Sequence, residues 1–269
     1  MTILEHDQID PASLLAWHIA MGADEAIDLA PIDRFTTPSP VAVASQPKQP
    51  SRPANGPTPV SAKPAQPTIG AGADVATKTA AACQSLSELE SALESFDGGL
   101  LKRSAKNTVF SDGIAGAPLM VVGDVPSRDD DQQGSPFSGP AGTLLDKMLA
   151  AINMSRNENA YLATVLPWRP LGNSKPDTNL LAVCKPFVER HIALVKPKIV
   201  LAMGGALGKA VFGTQDSISR QRGRWQQLDT NGQTFALIAT YHPTYLLSQP
   251  HLKGAAWQDL LAVKEKLSS

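Results

Sequence analysis

Four apolar runs, at residues 118–123, 160–166, 198–203 and 234–240, alternate with stretches of helical periodicity at 141–153, 178–195, 205–212 and 254–267. Runs this short match strands, and a helix between successive strands makes the connection a crossover, so neighbouring strands lie parallel. The implied fold is α/β, a three-layer sandwich around a short, mostly parallel four-stranded sheet. A helix precedes it: Ser85-Leu86-Ser87-Glu88 is a capping-box pattern, with Leu86, Leu89, Leu93 and Phe96 spaced to face inward.

The chain divides into a short N-terminal helical segment (1–35), a Pro/Ala-rich linker (36–75) and a globular domain (76–269). In the first, Asp10 can cap, Pro11 suits a first helical turn, and Leu14, Trp17 and Met21 share one face. A helix that short needs a surface to dock on, either its own domain or a protein partner bound through residues 10–22. Nine prolines between Thr36 and Gly70, with almost no large apolar side chains, predict a disordered, extended linker.

Charge excludes some classes. A net charge of −1 rules out a histone-like polycation, so any nucleic-acid surface must concentrate its positive charge on one face. Two cysteines, Cys83 and Cys184, make no disulfide framework and suggest a reducing compartment. No apolar run approaches a membrane span, and the acidic start of the chain does not resemble a secretory signal. The cytoplasm is the expected location.

Two segments carry the chemistry. Gly123-Asp124-Val125-Pro126 ends the first apolar run and leads into Gly134-Ser135-Pro136-Phe137-Ser138-Gly139-Pro140-Ala141-Gly142. A carboxylate and a proline at a strand's carboxyl end, followed by a Gly/Pro-rich loop holding one Phe, suit a pocket for a flat ring. Tyr241-His242-Pro243-Thr244-Tyr245-Leu246-Leu247 follows the last run and brings a His toward the same crevice, because open α/β sheets bind ligands beyond the carboxyl ends of their strands. Gly204-Gly205 lacks the spacing of a phosphate-cradling loop.

These blocks, with Tyr161–Pro170, Cys184-Lys185-Pro186-Phe187, Lys196–Ala206, Arg222-Gly223-Arg224-Trp225 and Lys253…Trp257 in the same order, resemble the uracil-DNA glycosylase superfamily, and within it family four. The resemblance implies hydrolysis of the N-glycosidic bond of uracil, or a related deaminated base, in DNA. The base is flipped from the stack and an abasic site remains. It implies Asp124 and His242 as catalytic residues, the first placing the attacking water and the second stabilising charge on the departing base. Val125, Pro126, Phe137 and Thr164 would bind the base, with Phe137 as an exposed stacking surface. Leu246 or Leu247 would fill the gap left by the flipped base. Arg222, Arg224 and Lys253 would meet phosphates, with Arg220 and the Lys102, Arg103, Lys106 cluster as further cations. A monomer, associated with the bacterial nucleoid, is expected.

This chain departs from the family's pattern in informative places. Asp124 stands where Glu is usual and is one methylene shorter. Ser127 replaces a usual Gly, and Thr164 replaces an Asn whose amide can both donate to and accept from a ring edge. Family four usually ligates an iron–sulfur cluster with four cysteines; only Cys184 matches a ligand position, and Trp168 stands at another. No cluster, no other metal and no cofactor is expected, with Trp168 and Leu100 packing in the cluster's place and Cys83 a small buried residue. Asp129, Asp130 and Asp131 read as a solvated loop rather than a metal site. The alternative reading is a catalytically degenerate member that binds DNA or a repair partner without turnover.

Overall fold

The structure is a computed structural model and describes residues 69–173 and 178–268. The segment 1–35 and most of the linker lie outside them. Helix α1 (Ile69–Ala82) starts inside the stretch read as linker, so residues 69–75 are helical. That helix is built from Ala and Gly with few large side chains, which hides it from a search for apolar periodicity.

Six strands form one sheet in the order β1-β3-β2-β4-β6-β5. The central four are the expected ones: β2 (Leu119–Gly123), β3 (Ala160–Thr164), β4 (Ile199–Met203) and β6 (Gln233–Thr240), all parallel. β2, β3 and β4 are buried at every position, as parallel strands covered on both faces must be. The sheet gains an antiparallel strand at each edge, β1 (Ser111–Gly113) on β3 and β5 (Trp225–Thr230) on β6. Both edges are polar in sequence, and so fall outside a search for apolar runs. β5 was nevertheless announced by Asn231-Gly232, whose positive φ angles of 49° and 73° make the tight turn joining it to β6.

Two layers of helices enclose the sheet. α5 (Gly139–Ala150) and α10 (Lys253–Ser268) put Leu145, Leu149, Leu260 and Val263 against Leu119, Val121, Leu162, Ile199, Leu201 and Ile238. α6 (Thr178–Val195) and α7 (Ala206–Phe212) cover the opposite face, with Leu181, Val188, Ile192 and Leu207 on Met120, Val122, Val200 and Leu237. α1 and α2 (Leu86–Ser95) pack outside α6, and short helices α3 (Gly99–Ser104), α4 (Arg128–Gln133), α8 (Ile218–Gln221) and α9 (Pro243–Ser248) fill the connections. Among the described residues no helix is long and apolar enough to cross a membrane.

Register fixes where the site falls. Thr164, Gly123, Met203 and Thr240 lie side by side at the ends of the four parallel strands. The chain leaves β2 toward β3 but returns to place β4 on the other side of β2, so the connections part between β2 and β4 and open a crevice there.

One buried ion pair holds this end of the sheet. The Arg222 guanidinium donates to both oxygens of Asp259, at 2.9 and 2.6 Å, and to the Ala255 carbonyl at 2.5 Å; the Thr240 hydroxyl donates to Asp259 at 2.7 Å. Asp259 is only 2 % exposed. Removing one member strands a buried charge, so Arg222→Ala should lower stability by about 3 kcal/mol, a fall of roughly 6–12 °C in thermal midpoint for a domain of this size. Calorimetry of the two proteins checks it.

Candidate active site

Asp124 is the first residue past β2, and β4 places Gly204, Gly205 and Ala206 directly beside it. Its Oδ1 accepts from the Ala206 amide at 2.7 Å and its Oδ2 from the Gly205 amide at 3.3 Å. Burial raises the carboxyl's pKa to about 6, against the pull of these two amides and of Lys209. The group therefore titrates in the range where a positioned base is effective.

His242 stands two residues past β6 and caps α9. Its Nδ1 accepts from the Thr244 amide at 3.2 Å, so the ring proton resides on Nε2. Burial lowers its pKa to about 4. At neutral pH it is an uncharged imidazole with one N–H to offer.

Phe137 joins the two. Its ring lies across the end of β2, where a Cβ on Gly123 would come within 2.8 Å of it, and it stacks on the His242 ring at 5.5 Å and 20°. The expected exposed stacking surface is instead closed, since Phe137 is 3 % exposed. Its backbone is left-handed, φ 53°, which is costly for an aromatic residue and is maintained only when neighbours impose it. Arg156 is one of those neighbours, donating to the Phe137 carbonyl at 3.2 Å while paired with Asp112 at 2.6 Å and Asp146 at 2.8 Å. Nothing in the local sequence around Arg156 signals that role.

The three acidic residues after Ser127 do not form a solvated loop. Asp130 and Ser127 cap α4 reciprocally, and the other Asp130 oxygen accepts from the Ser138 amide at 2.6 Å, tying the Asp124 loop to the Phe137 loop. Asp131 accepts from the Lys106 and Asn107 amides. Ser127 is thus a helix cap, and Asp130 and Asp131 are buried staples, 5 % and 8 % exposed. No group of three metal-ligating side chains occurs among the described residues.

Thr164, 9 % exposed, lies on the same sheet face as the Phe137 ring and donates its hydroxyl to the Leu166 carbonyl at 2.6 Å. Only its lone pairs remain for a ligand. Pro126 is buried, and half-buried Val125 packs on the α6-side core.

Two of the expected DNA contacts are displaced. Arg222 is committed to Asp259 and also lies over the Tyr241 ring at 5.5 Å, so it supports the His242 turn from within. Leu246 is 1 % exposed and packs with Tyr241 and Ala256, whereas Leu247 and Tyr245 are 44 % and 45 % exposed. The apolar tract sits on a single helical turn, which must bury one leucine and present the other. Arg224 and Lys253 are exposed; Arg220 pairs with Asp216 at 3.6 Å, and Lys102 donates to the Glu94 and Phe96 carbonyls.

The residues do not fit a four-thiolate iron–sulfur cluster. Trp168, 2 % exposed, packs with Phe96, Phe110 and Phe187 and donates to Thr108 at 3.0 Å. Cys83 joins that cluster while Cys184 faces the sheet core. Leu100 does not share in the filling: it is 72 % exposed, and Leu101 packs inward instead.

With this geometry in place, similarity to known proteins is informative. The chain is 31 % identical to the type-4 uracil-DNA glycosylase of Archaeoglobus fulgidus, over 61 % of this chain and 84 % of the relative. It is 30 % identical to that of Saccharolobus solfataricus, over 61 % and 78 %, and 34 % identical to that of Thermotoga maritima, over 52 % and 72 %. The family model of the uracil DNA glycosylase superfamily matches residues 110–261, spanning every strand and each segment that builds the crevice, and the chain belongs to that superfamily.

Proposed function

We propose that this protein is a DNA repair hydrolase that removes uracil, or a related deaminated base, from DNA by base flipping. The observation that carries this reading is the joint placement of Asp124, neutral His242 and Phe137 at the switch point of the sheet. A base entering the crevice stacks on Phe137 and takes the space His242 now fills against that ring, so the His242 turn moves outward as the base enters. As the bond between C1′ and the base nitrogen lengthens, the base gathers negative charge and the sugar positive charge. The Nε2–H of His242 donates to a base carbonyl oxygen and stabilises the first. The Asp124 carboxylate lies near the second and accepts a proton from the water whose oxygen bonds to C1′; the base anion later takes a proton from solvent. The chain's own residues suffice for this hydrolysis without a cofactor.

Leu247 is the residue proposed to fill the vacated stack, with Arg224 and Lys253 on flanking phosphates. The protein would act as a monomer in the cytoplasm at the nucleoid, with residues 10–22 available to a protein partner.

A second reading is favoured by one observation. Both oxygens of Asp124 accept from backbone amides, as an ordinary structural cap does, and this suits a DNA-binding protein without turnover. Release of free base separates the two. With labelled oligonucleotides containing uracil, hypoxanthine or xanthine, the repair reading expects alkali-sensitive sites with wild type, and a loss of roughly 10²–10³-fold for His242→Ala and at least as much for Asp124→Ala. No base release with DNA binding retained supports the second reading.

Acid dependence gives a further check. Asp124 has its pKa raised and must be ionised, so single-turnover rates should rise tenfold per pH unit up to about 6 and then level off. His242 stays neutral down to about 4 and adds no limb above that. A descending limb near pH 6.5 would contradict the neutral imidazole. Leu247→Ala should slow excision from duplex DNA more than from single strands, because only the duplex leaves a gap to fill, whereas Leu246→Ala should cost about 2–5 kcal/mol of stability.

A further inference from the structure

Gly204 is the first residue past β4 and stands beside the Asp124 carboxylate. Its φ of 105° is open to glycine alone, and a Cβ there would stand 2.1 Å from Asp124 Oδ2. Its amide donates to the Thr240 carbonyl at 2.9 Å, so the turn is fixed to β6 and cannot drift away from the carboxylate. The next two amides, of Gly205 and Ala206, each take one carboxylate oxygen. Three consecutive residues therefore form a seat that a side chain on Gly204 would fill.

We propose that the backbone turn Gly204-Gly205-Ala206 is a positioning element for the reaction, holding the short Asp124 side chain in its working orientation through two amides and through the space left open at Gly204. The proposal rests on Asp124 being the catalytic carboxylate. One amide on each oxygen fixes the plane of the group and leaves a second lone pair on each oxygen for the attacking water. Both bonds favour the ionised form. Losing the seat should therefore disorder the carboxylate and make it harder to ionise, while the surfaces that bind DNA are untouched. A misplacement near 1 Å costs on the order of 10²-fold in rate.

Gly204→Ala should lower kcat on the order of 10²-fold with KM for uracil-containing DNA unchanged, and move the midpoint of the pH–rate profile upward. Ala206→Pro removes the donor to Oδ1, and proline is tolerated in a first helical turn; it should act in the same direction if Gly204→Ala does not fold. Gly213→Ala is the control for adding a methyl at a positive-φ glycine of the neighbouring helix end, because Gly213, φ 64°, faces open space; it should leave kcat and the pH midpoint at their wild-type values. A wild-type kcat and pH midpoint in folded Gly204→Ala or Ala206→Pro overturns the proposal and leaves the enzyme reading intact. If wild type itself releases no base, the enzyme reading fails and the positioning role that rests on it is overturned with it, whereas an active wild type beside unchanged, folded variants overturns the positioning role alone.

Discussion

The site depends on the parallel pairing of β2 with β4. That register sets Gly123 beside Met203, so the next residue of each strand, Asp124 and Gly204, meet across the opening of the sheet. Without a side chain on Gly204, the carboxylate settles on the amides at the start of α7. The Phe137 ring then lies against the same strand end, and His242 lies against Phe137. Each step uses a strand end that the hydrophobic core has already fixed, which is why a few polar groups can be placed firmly in a crevice.

The central architecture was legible because its strands are continuous apolar runs. The edges were less so: β1 has no large apolar side chain, and β5 is betrayed only by its Asn231-Gly232 turn. Asp124, Phe137 and His242 could be found from their motifs, since glycine and proline around them mark loops at strand ends. Their environments could not. Phe137 reads as exposed from its loop, yet the His242 ring and the Arg156 bond to its carbonyl enclose it. Arg156 lies in a turn with no motif of its own, and Gly204 looks like an ordinary strand-to-helix glycine until the carboxylate beside it is seen.

Charge was the least legible property. Arg222, grouped in sequence with Arg220 and Arg224, is drawn inward by Asp259, a carboxylate 37 positions away. Asp130, which reads as solvated, staples the Asp124 loop to the Phe137 loop, and Asp131, which reads the same way, holds the amides of Lys106 and Asn107. Sequence shows that a charge exists but not its partner, and an internal partner removes a cation from any DNA surface. Leu246 and Leu247 show the same limit for apolar groups, because one helical turn sends neighbours in different directions. The departures at Trp168 and Thr164 have local consequences: one fills an aromatic cluster, and the other spends its only donor on its own chain.

The central claim is that Asp124, Phe137 and His242 act on one flipped base. It is tested most directly by a crystal structure of the protein with duplex DNA carrying a 2′-fluoro-deoxyuridine, whose glycosidic bond resists hydrolysis. The account predicts the uracil ring stacked on Phe137, His242 Nε2 within hydrogen-bond distance of a ring carbonyl, and an Asp124 oxygen facing C1′ while still bound to the Ala206 amide. A base left in the duplex, or one flipped elsewhere with Asp124 remote from the sugar, would contradict it.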